Sequence, residues 1–363
     1  MTIEGNHSAR WELGSEFHWP GLPPSPLVKW PDPAIWFMLA RHAVAALVQM
    51  KSATEPALWL PSYFCPEVAE CCGRYCQIRE YRDLPCWDEP DWKSLQPESH
   101  DIILAVNYFG VRDAEPWKHW REQTPCVLLE DHSQDPFSEW ALTSTADFAF
   151  ASVRKTLPIA DGAVLWSPSG LALPEQPIDG EWSGVALKIA AMISKAEYLR
   201  GGGTDALKTQ FRELQFKGED LMRRARISAI SPPSFAYVAD GVPQSWREQR
   251  ARNARHLLGN LMRSDHAECM FERWSDTRVP FALPILFPSQ RERDACQSLL
   301  QKNRIYCPVH WICKTTDADA VALSGRTLSL PVDQRYTEED MDRISRAIFQ
   351  WSDEVTSGSV SHR

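Results

Sequence analysis

Residues 128–165, LLEDHSQDPFSEWALTSTADFAFASVRKTLPIADGAVL, gather a carboxylate, a hydroxyl and two cations at the ends of two apolar runs. Asp131 follows VLLE, and Ser152, Arg154 and Lys155 share the turn after FAFA. A lysine is ordinarily a solvated surface group. Lys155 departs from that default because it follows an apolar strand and stands beside Arg154, a like-charge neighbour that is unfavourable without an anion nearby. An amine whose pKa is lowered by its surroundings forms a Schiff base with an aldehyde. A fixed carboxylate beside a pyridine nitrogen keeps that nitrogen protonated, and the ring then withdraws electrons. A phosphate needs hydroxyls, backbone amides and often a cation. Together these are the requirements of pyridoxal 5'-phosphate (PLP). Lys155 would take its aldehyde, Asp131 its ring nitrogen, and Ser152 with Arg154 its phosphate.

Further segments extend this reading. ARHAVAAL, LPSYFCPEV, VNYFG, LLEDHSQ, ADFAFASVRK and LSLPVDQRYTEEDMDRI occur in the order found in DegT/DnrJ/StrS-type aminotransferases, which the chain resembles over about residues 30–350. The EDxxQ strand end and the SxRK turn carry most of the likeness. The resemblance implies a fold-type I PLP enzyme of the aspartate aminotransferase superfamily, often acting on nucleotide-linked keto sugars. It makes Lys155 the Schiff-base lysine, Asp131 the pyridine partner and Gln134 a contact at the ring's hydroxyl edge. Ser152 becomes the phosphate serine, and Phe64 or its neighbour Tyr63 the aromatic stacked on the ring. ARHA matches the helix start that cups the phosphate, with His42 and Ala43 where small hydroxyl residues are more usual. Ser152 lies three residues before the lysine, whereas many sugar members place it five before. That spacing is closer to the SxHK turn of cysteine desulfurases and bears on the substrate more than on the cofactor.

The activity implied is transfer of an amino group from an amino acid donor to a keto acceptor, with Lys155 as the proton shuttle. A homodimer with a shared active site is implied as well. Dehydratases of the same family replace the lysine by histidine, which Lys155 argues against. A desulfurase or other lyase would need a mobile cysteine, for which Cys307 and Cys313 are the nearest candidates. A degenerate PLP-fold binding protein is the alternative outside catalysis, and ARHA is its best support. His132 could tune the ring or satisfy a carbonyl. His310 and Trp311 fall where the family's small domain approaches substrate. Arg335 could bind a substrate anion or serve as a salt-bridge partner.

The elements that must position these groups follow from periodicity. Short apolar runs (ALWLP, CQIREY, DIILAV, CVLLED, DFAFA, GAVLW) alternate with helical stretches, the pattern of an α/β fold with a mostly parallel mixed sheet. In such sheets the residues after strand C-termini line the ligand crevice. AIWFMLARHAVAALVQMK, apolar all round, reads as one buried helix. The expected divisions are an extended Pro- and Trp-rich arm over residues 1–30, a large PLP-binding domain over 31–240, a smaller C-terminal α+β domain over 241–355, and a disordered tail over 356–363. SWREQRARNARHLLGNLMR reads as the connector between domains.

Composition bounds the rest. The 363 residues are 44% hydrophobic and 24% charged, as in a soluble globular chain of more than one domain. A net charge of -9 with scattered Lys and Arg argues against nucleic acid. No apolar run of membrane-spanning length occurs, and the N-terminus lacks a signal-like segment. Cys65, Cys71, Cys72, Cys76 and Cys86 lie close together without the paired short spacings of a zinc site, so no metal is expected. They read as small buried hydrophobes in a reducing cytoplasm.

Overall fold

The computed structural model describes residues 12–20, 27–201, 204–262, 268–271, 274–275 and 277–356. Part of the expected N-terminal arm and the expected tail beyond residue 356 lie outside them.

Seven strands form the main sheet: β1 (Ala34–Phe37), β2 (Leu58–Pro61), β3 (Ile78–Tyr81), β4 (Ile102–Val106), β5 (Val127–Asp131), β6 (Phe148–Ala151) and β7 (Ala163–Trp166). Their order is β1-β7-β6-β5-β4-β2-β3. β7 runs antiparallel to both neighbours, and the remaining pairings, from β6 across to β3, are all parallel. β4 to β7 are apolar at nearly every position because helices cover both faces. The mixed α/β class expected from the sequence is the class found.

One expectation needs correction. The run from Ala34 to Lys51 is not a single helix: AIWF is β1, paired residue by residue with β7, and α1 (Ala40–Met50) begins after it. All-round apolarity cannot separate a buried helix from a buried strand followed by a helix. Three β-branched or aromatic residues in AIWF tip the local balance to a strand.

α2 (Pro66–Cys72), α3 (Glu115–Gln123) and α4 (Glu139–Leu142) connect the strands. Beyond β7 the chain forms a long hairpin of α5 (Ser183–Gly201) and α6 (Asp205–Arg224). The two helices cross at glycines. A Cβ on Gly184 would lie 2.6 Å from the carbonyl oxygen of Gly218, and one on Gly218 would lie 2.7 Å from that of Gly184. α7 (Pro232–Val238) then leads to α8 (Gln244–Leu261).

The C-terminal part packs α9 (Gln290–Lys302), α10 (Ala318–Arg326) and α11 (Glu338–Thr356) with an antiparallel sheet of β8 (Glu268–Cys269), β9 (Ala282–Leu286) and β10 (Thr327–Pro331). Its core includes Leu257 and Leu261 of α8, so that helix belongs to the small unit's interior as well as leading into it. Leu13, fully buried, joins the same core, and Leu13–Gly14 pairs in parallel with Ile305–Tyr306. The N-terminal segment is thereby fastened to the small unit.

Candidate active site

β5 and β6 run side by side, with Asp131 opposite Phe150, so both strands deliver polar residues to one edge of the sheet. Asp131 is the last residue of β5 and is buried. Its Oδ1 accepts the backbone N–H of Ser133 at 2.8 Å. Lys155 ends a single 3-10 turn, Val153–Lys155, directly after β6. The two strand ends are tied together: the backbone N–H of Ser152 donates to Ser133 Oγ at 2.8 Å. Ser152 is buried at this junction.

Gln134 is buried one step further along the same loop. Its Oε1 accepts the backbone N–H of Phe109 at 2.5 Å, while its Nε2 is buried without a hydrogen-bond partner. The neighbouring turn is built for this contact. Phe109 has φ 55° and Gly110 φ 78°, and a Cβ on Gly110 would meet both Asp135 Cβ and the Val279 carbonyl at 2.8 Å. Glycine is required there by the close approach as well as by φ.

Lys155 Nζ lies 5.1 Å from the centre of the Trp311 ring, within cation–π range. Tyr63 and Phe64 bring the other aromatic rings. Tyr63 is fully buried, its hydroxyl donates to the His310 carbonyl at 2.5 Å, and its ring centre is 6.1 Å from Trp311. The Phe64 ring is 5.9 Å from Trp311. His310 shares a hydrogen bond with Ser329 Oγ at 2.9 Å. Burial, and then the charge of Lys155, hold the His310 imidazole down to about 3, so it is neutral. The sheet edge and the tip of the small unit thus converge on the amine.

Arg154 faces α6. Its two terminal nitrogens donate to the Glu219 carboxylate at 2.8 and 2.9 Å, and Lys188 of α5 donates to the same group at 3.0 Å. Glu219 is therefore the anion that two adjacent cations at the turn demand. Among the residues of ARHA, Ala43 is packed in the core beneath the sheet. His42 is buried, its Nδ1 accepts the backbone N–H of Ser228 at 3.3 Å, and burial followed by the charge of Arg41 lowers it to about 3. It is a neutral acceptor. His132 sits one residue from Asp131 on the other face of the strand, bonded to Glu130 at 2.9 Å and stacked on Trp166. Arg335 is paired with Asp333 at 2.8 and 2.9 Å and donates to the carbonyls of Ser15 and Glu16 at 3.2 Å.

Cys307 and Cys313 are poorly suited to nucleophilic work, which needs a thiolate. Burial pushes the Cys307 thiol far up and that of Cys313 to about 11. Among the described residues, no cluster of three His, Cys, Asp or Glu could hold a metal ion. No described helix is long and apolar enough to cross a membrane.

A cavity of about 580 Å³ opens on Lys155. Its walls come from the N-terminal segment, the α5–α6 hairpin and the small unit, and include Glu16, Lys188, Lys208, Glu219, His310 and Arg335. Asp131, Gln134 and Ser152 are not part of that wall; they lie at or just beyond the ends of β5 and β6. One residue that the sequence reading left out, Glu219, lines this wall. It gives no signal beyond lying on a polar helix face.

Solved structures share this architecture. Spr1654 from Streptococcus pneumoniae, a candidate sugar aminotransferase solved in its apo form, superposes with a TM-score of 0.61 at 13% identity, covering 90% of this chain and 88% of that one. NtdA from Bacillus subtilis, solved with its cofactor PMP bound, gives 0.55 at 12% identity, covering 88% and 73%. A DegT DnrJ EryC1 StrS aminotransferase from Brucella abortus gives 0.53 at 15% identity, covering 88% and 85%. The chain has their fold. No protein-family model matches the sequence, and no curated protein matches it.

Proposed function

We propose that this protein is a PLP-dependent aminotransferase of the DegT/DnrJ/StrS kind, with Lys155 as the residue that binds the cofactor's aldehyde. The observation that carries the reading is the placement of Asp131 at the end of β5 and of Lys155 in the turn after the adjacent parallel strand β6, with the two loops joined by the Ser152–Ser133 hydrogen bond. Cofactor-bound relatives by fold, such as NtdA with PMP, support it.

The residues present fit the group. Gln134 keeps a buried, unpartnered Nε2 beside the Asp131 loop, a donor suited to a ring oxygen. Asp131 would hold the ring nitrogen protonated, Ser152 would donate to the phosphate, and Tyr63 or Phe64 would lie against the ring. Bound there, PLP supplies an electron-withdrawing ring for the bond changes at the substrate's reacting carbon. Lys155 would hold the aldehyde, and its amine would move the proton at the substrate's reacting carbon as a general base. Neutral His310 and the Trp311 ring screen the amine from bulk water. The donor is an amino acid, the acceptor a keto compound with a keto sugar among the candidates, the assembly a homodimer that shares its sites, and the compartment the cytoplasm.

The test is direct. Purified protein incubated with PLP should develop the visible band of a lysine-bound cofactor, and borohydride should fix the cofactor on the peptide containing Lys155. Adding amino acids one at a time should bleach that band for the true donor. Lys155→Ala should show neither effect. A wild-type protein that acquires no band, or acquires it on another lysine, refutes the proposal.

A further inference from the structure

The turn that carries Lys155 satisfies one of its carbonyls three times over and leaves another to be met from elsewhere. The Val153 carbonyl accepts the N–H groups of Thr156 and Leu157 at 3.1 and 2.9 Å and the Thr156 hydroxyl at 3.3 Å. The Thr156 carbonyl, one residue past the lysine, accepts no backbone N–H among the described residues. Thr156 is buried, and a buried carbonyl needs a donor. Two side chains supply it: Gln334 Nε2 at 2.8 Å, and Arg250 Nη2 more distantly at 3.5 Å.

The two donors are themselves fixed. Arg250 Nη2 also donates to Gln334 Oε1 at 3.1 Å, which leaves the amide one orientation. The reverse would set oxygen against the Thr156 carbonyl and an NH2 group against a guanidinium. Both side chains stand on one block of the small unit. One turn along α8 from Arg250, the fully buried Asn253 donates to the carbonyls of Val332, Asp333 and Tyr336 at 3.2, 3.0 and 3.0 Å. Those bonds fasten the loop carrying Gln334 to α8. Arg250 is 5% exposed and has no ion pair among the described residues, because Asp135 and Asp333 are engaged by Arg247 and Arg335. Its Nε is buried without a partner. A buried guanidinium so poorly compensated costs stability, so stability alone does not account for it. What it does reach is the carbonyl that follows the lysine.

We propose that Gln334 and Arg250 are positioning residues for Lys155: by clamping the Thr156 carbonyl they tie the aim of the amine to the placement of the small unit. The reaction that Lys155 serves rests on the cofactor reading above; the clamp does not.

The full-length protein is loaded with PLP and mixed with the amino acid that bleaches its band, and the saturating rate and half-saturating concentration are measured separately. In the cofactor-free protein, Lys155 is trace-labelled with acetic anhydride, and its rate is compared with that of the exposed Lys93 by mass spectrometry. Gln334→Leu removes the donor. Gln334→Glu keeps the size and adds an ion pair with Arg250, but turns an acceptor toward the Thr156 carbonyl. Both should lower the saturating rate about tenfold to a hundredfold, the scale on which small misplacements of a reacting group act, with half-saturation as in the wild type. Both should raise the labelling of Lys155 relative to Lys93. Gln334→Glu should do so with an unfolding midpoint at or above that of the wild type, which a merely structural role would not allow. Arg250→Lys should lose less rate than Arg250→Met. Wild-type rate and labelling in Gln334→Glu, or rate losses that simply follow the unfolding midpoint across the variants, would overturn the proposal. If the wild type forms no band, the cofactor reading falls and labelling alone decides the clamp: equal labelling of Lys155 in wild type and Gln334→Glu would sink it.

Discussion

Replacing Glu219 by glutamine tests whether the turn carrying Lys155 is held by charge. The carboxylate accepts two hydrogen bonds from Arg154 and one from Lys188, joining that turn to both helices of the α5–α6 hairpin. The amide of Glu219→Gln would keep the shape but present one weaker acceptor and an NH2 group that opposes a guanidinium. Breaking a buried ion pair by removing one partner costs about 3–5 kcal/mol. Two facts reduce that figure here. The Glu219 side chain is 31% exposed, and Lys188 keeps a second carboxylate, Glu16, at 2.9 Å. A loss of about 2–3 kcal/mol in urea unfolding at pH 7 is expected, most of it from Arg154. The pH dependence supplies an independent check. Desolvation alone would raise the Glu219 pKa, yet the charges of Arg154 and then Lys188 hold it far below the usual carboxylate range. A depressed folded-state pKa contributes stability above the unfolded value, about 4.3, and loses it as the pH falls below that. The wild type and the glutamine variant should therefore converge in stability toward pH 3. Curves that stay parallel from pH 7 to pH 3, or a difference below about 0.5 kcal/mol at pH 7, would show that the network holds nothing.

Three further outcomes follow from single positions. Gly110→Ala forces a side chain into positive φ against Asp135 and the Val279 carbonyl, so it should lower stability by more than about 2 kcal/mol; an unchanged unfolding midpoint would contradict that contact. His42 and His310 are held near 3 against an ordinary 6.5, so the unfolded chain takes up their protons first. Stability is then constant above pH 6.5 and falls on acidification by about 1.4 kcal/mol per pH unit for each histidine; His42→Gln should shed one histidine's share of the slope between pH 6 and 5, and an unaltered slope would refute it. Asp161 accepts the backbone N–H of Ser231 and the hydroxyls of Ser231 and Ser234 at the start of α7. Asp161→Ala strands all three donors in the interior and should cost about 2–4 kcal/mol by urea unfolding, whereas a cost within error of zero would mean that water replaces the carboxylate.

What could be read from the sequence was set by the range of the interactions involved. Strand ends after VLLE and FAFA are local events, so Asp131 and Lys155 could be placed on one sheet edge from pattern alone. The partition of AIWF from α1 could not, because it depends on pairing with β7, more than a hundred residues away. α10 escaped notice for a similar reason: DADAVALSGR is short and weakly patterned, and Asp317 caps it within a loop whose placement depends on the rest of the small unit. Arg154 shows the same limit at the site. Its need for an anion was legible from the neighbouring lysine, but the partner, Glu219, lies 65 residues on and could be identified only once the hairpin was folded.

The cavity beside Lys155 bears on which substrates can reach it. Seven basic side chains and four carboxylates line it among the described residues. Several are matched: Glu12 with Lys208 at 2.9 Å, Glu16 with Lys188, Asp333 with Arg335, Glu219 with Arg154. The surplus is positive, and in a concave wall of low dielectric constant such a surplus concentrates anions. Every amino acid donor carries a carboxylate, so this wall suits the reaction proposed, whereas a neutral amine gains nothing from it. The carboxylates set a second condition. Glu12 and Glu16 belong to a segment anchored by Leu13 in the small-unit core, and the lysines they face, Lys208 and Lys188, belong to the α5–α6 hairpin. An acidic substrate entering between them competes with the segment's own glutamates for Lys188 and Lys208. Raising the salt concentration should weaken that internal pairing and the substrate's attraction together, so donor affinity should fall less steeply with salt than it would at an open patch of the same charge.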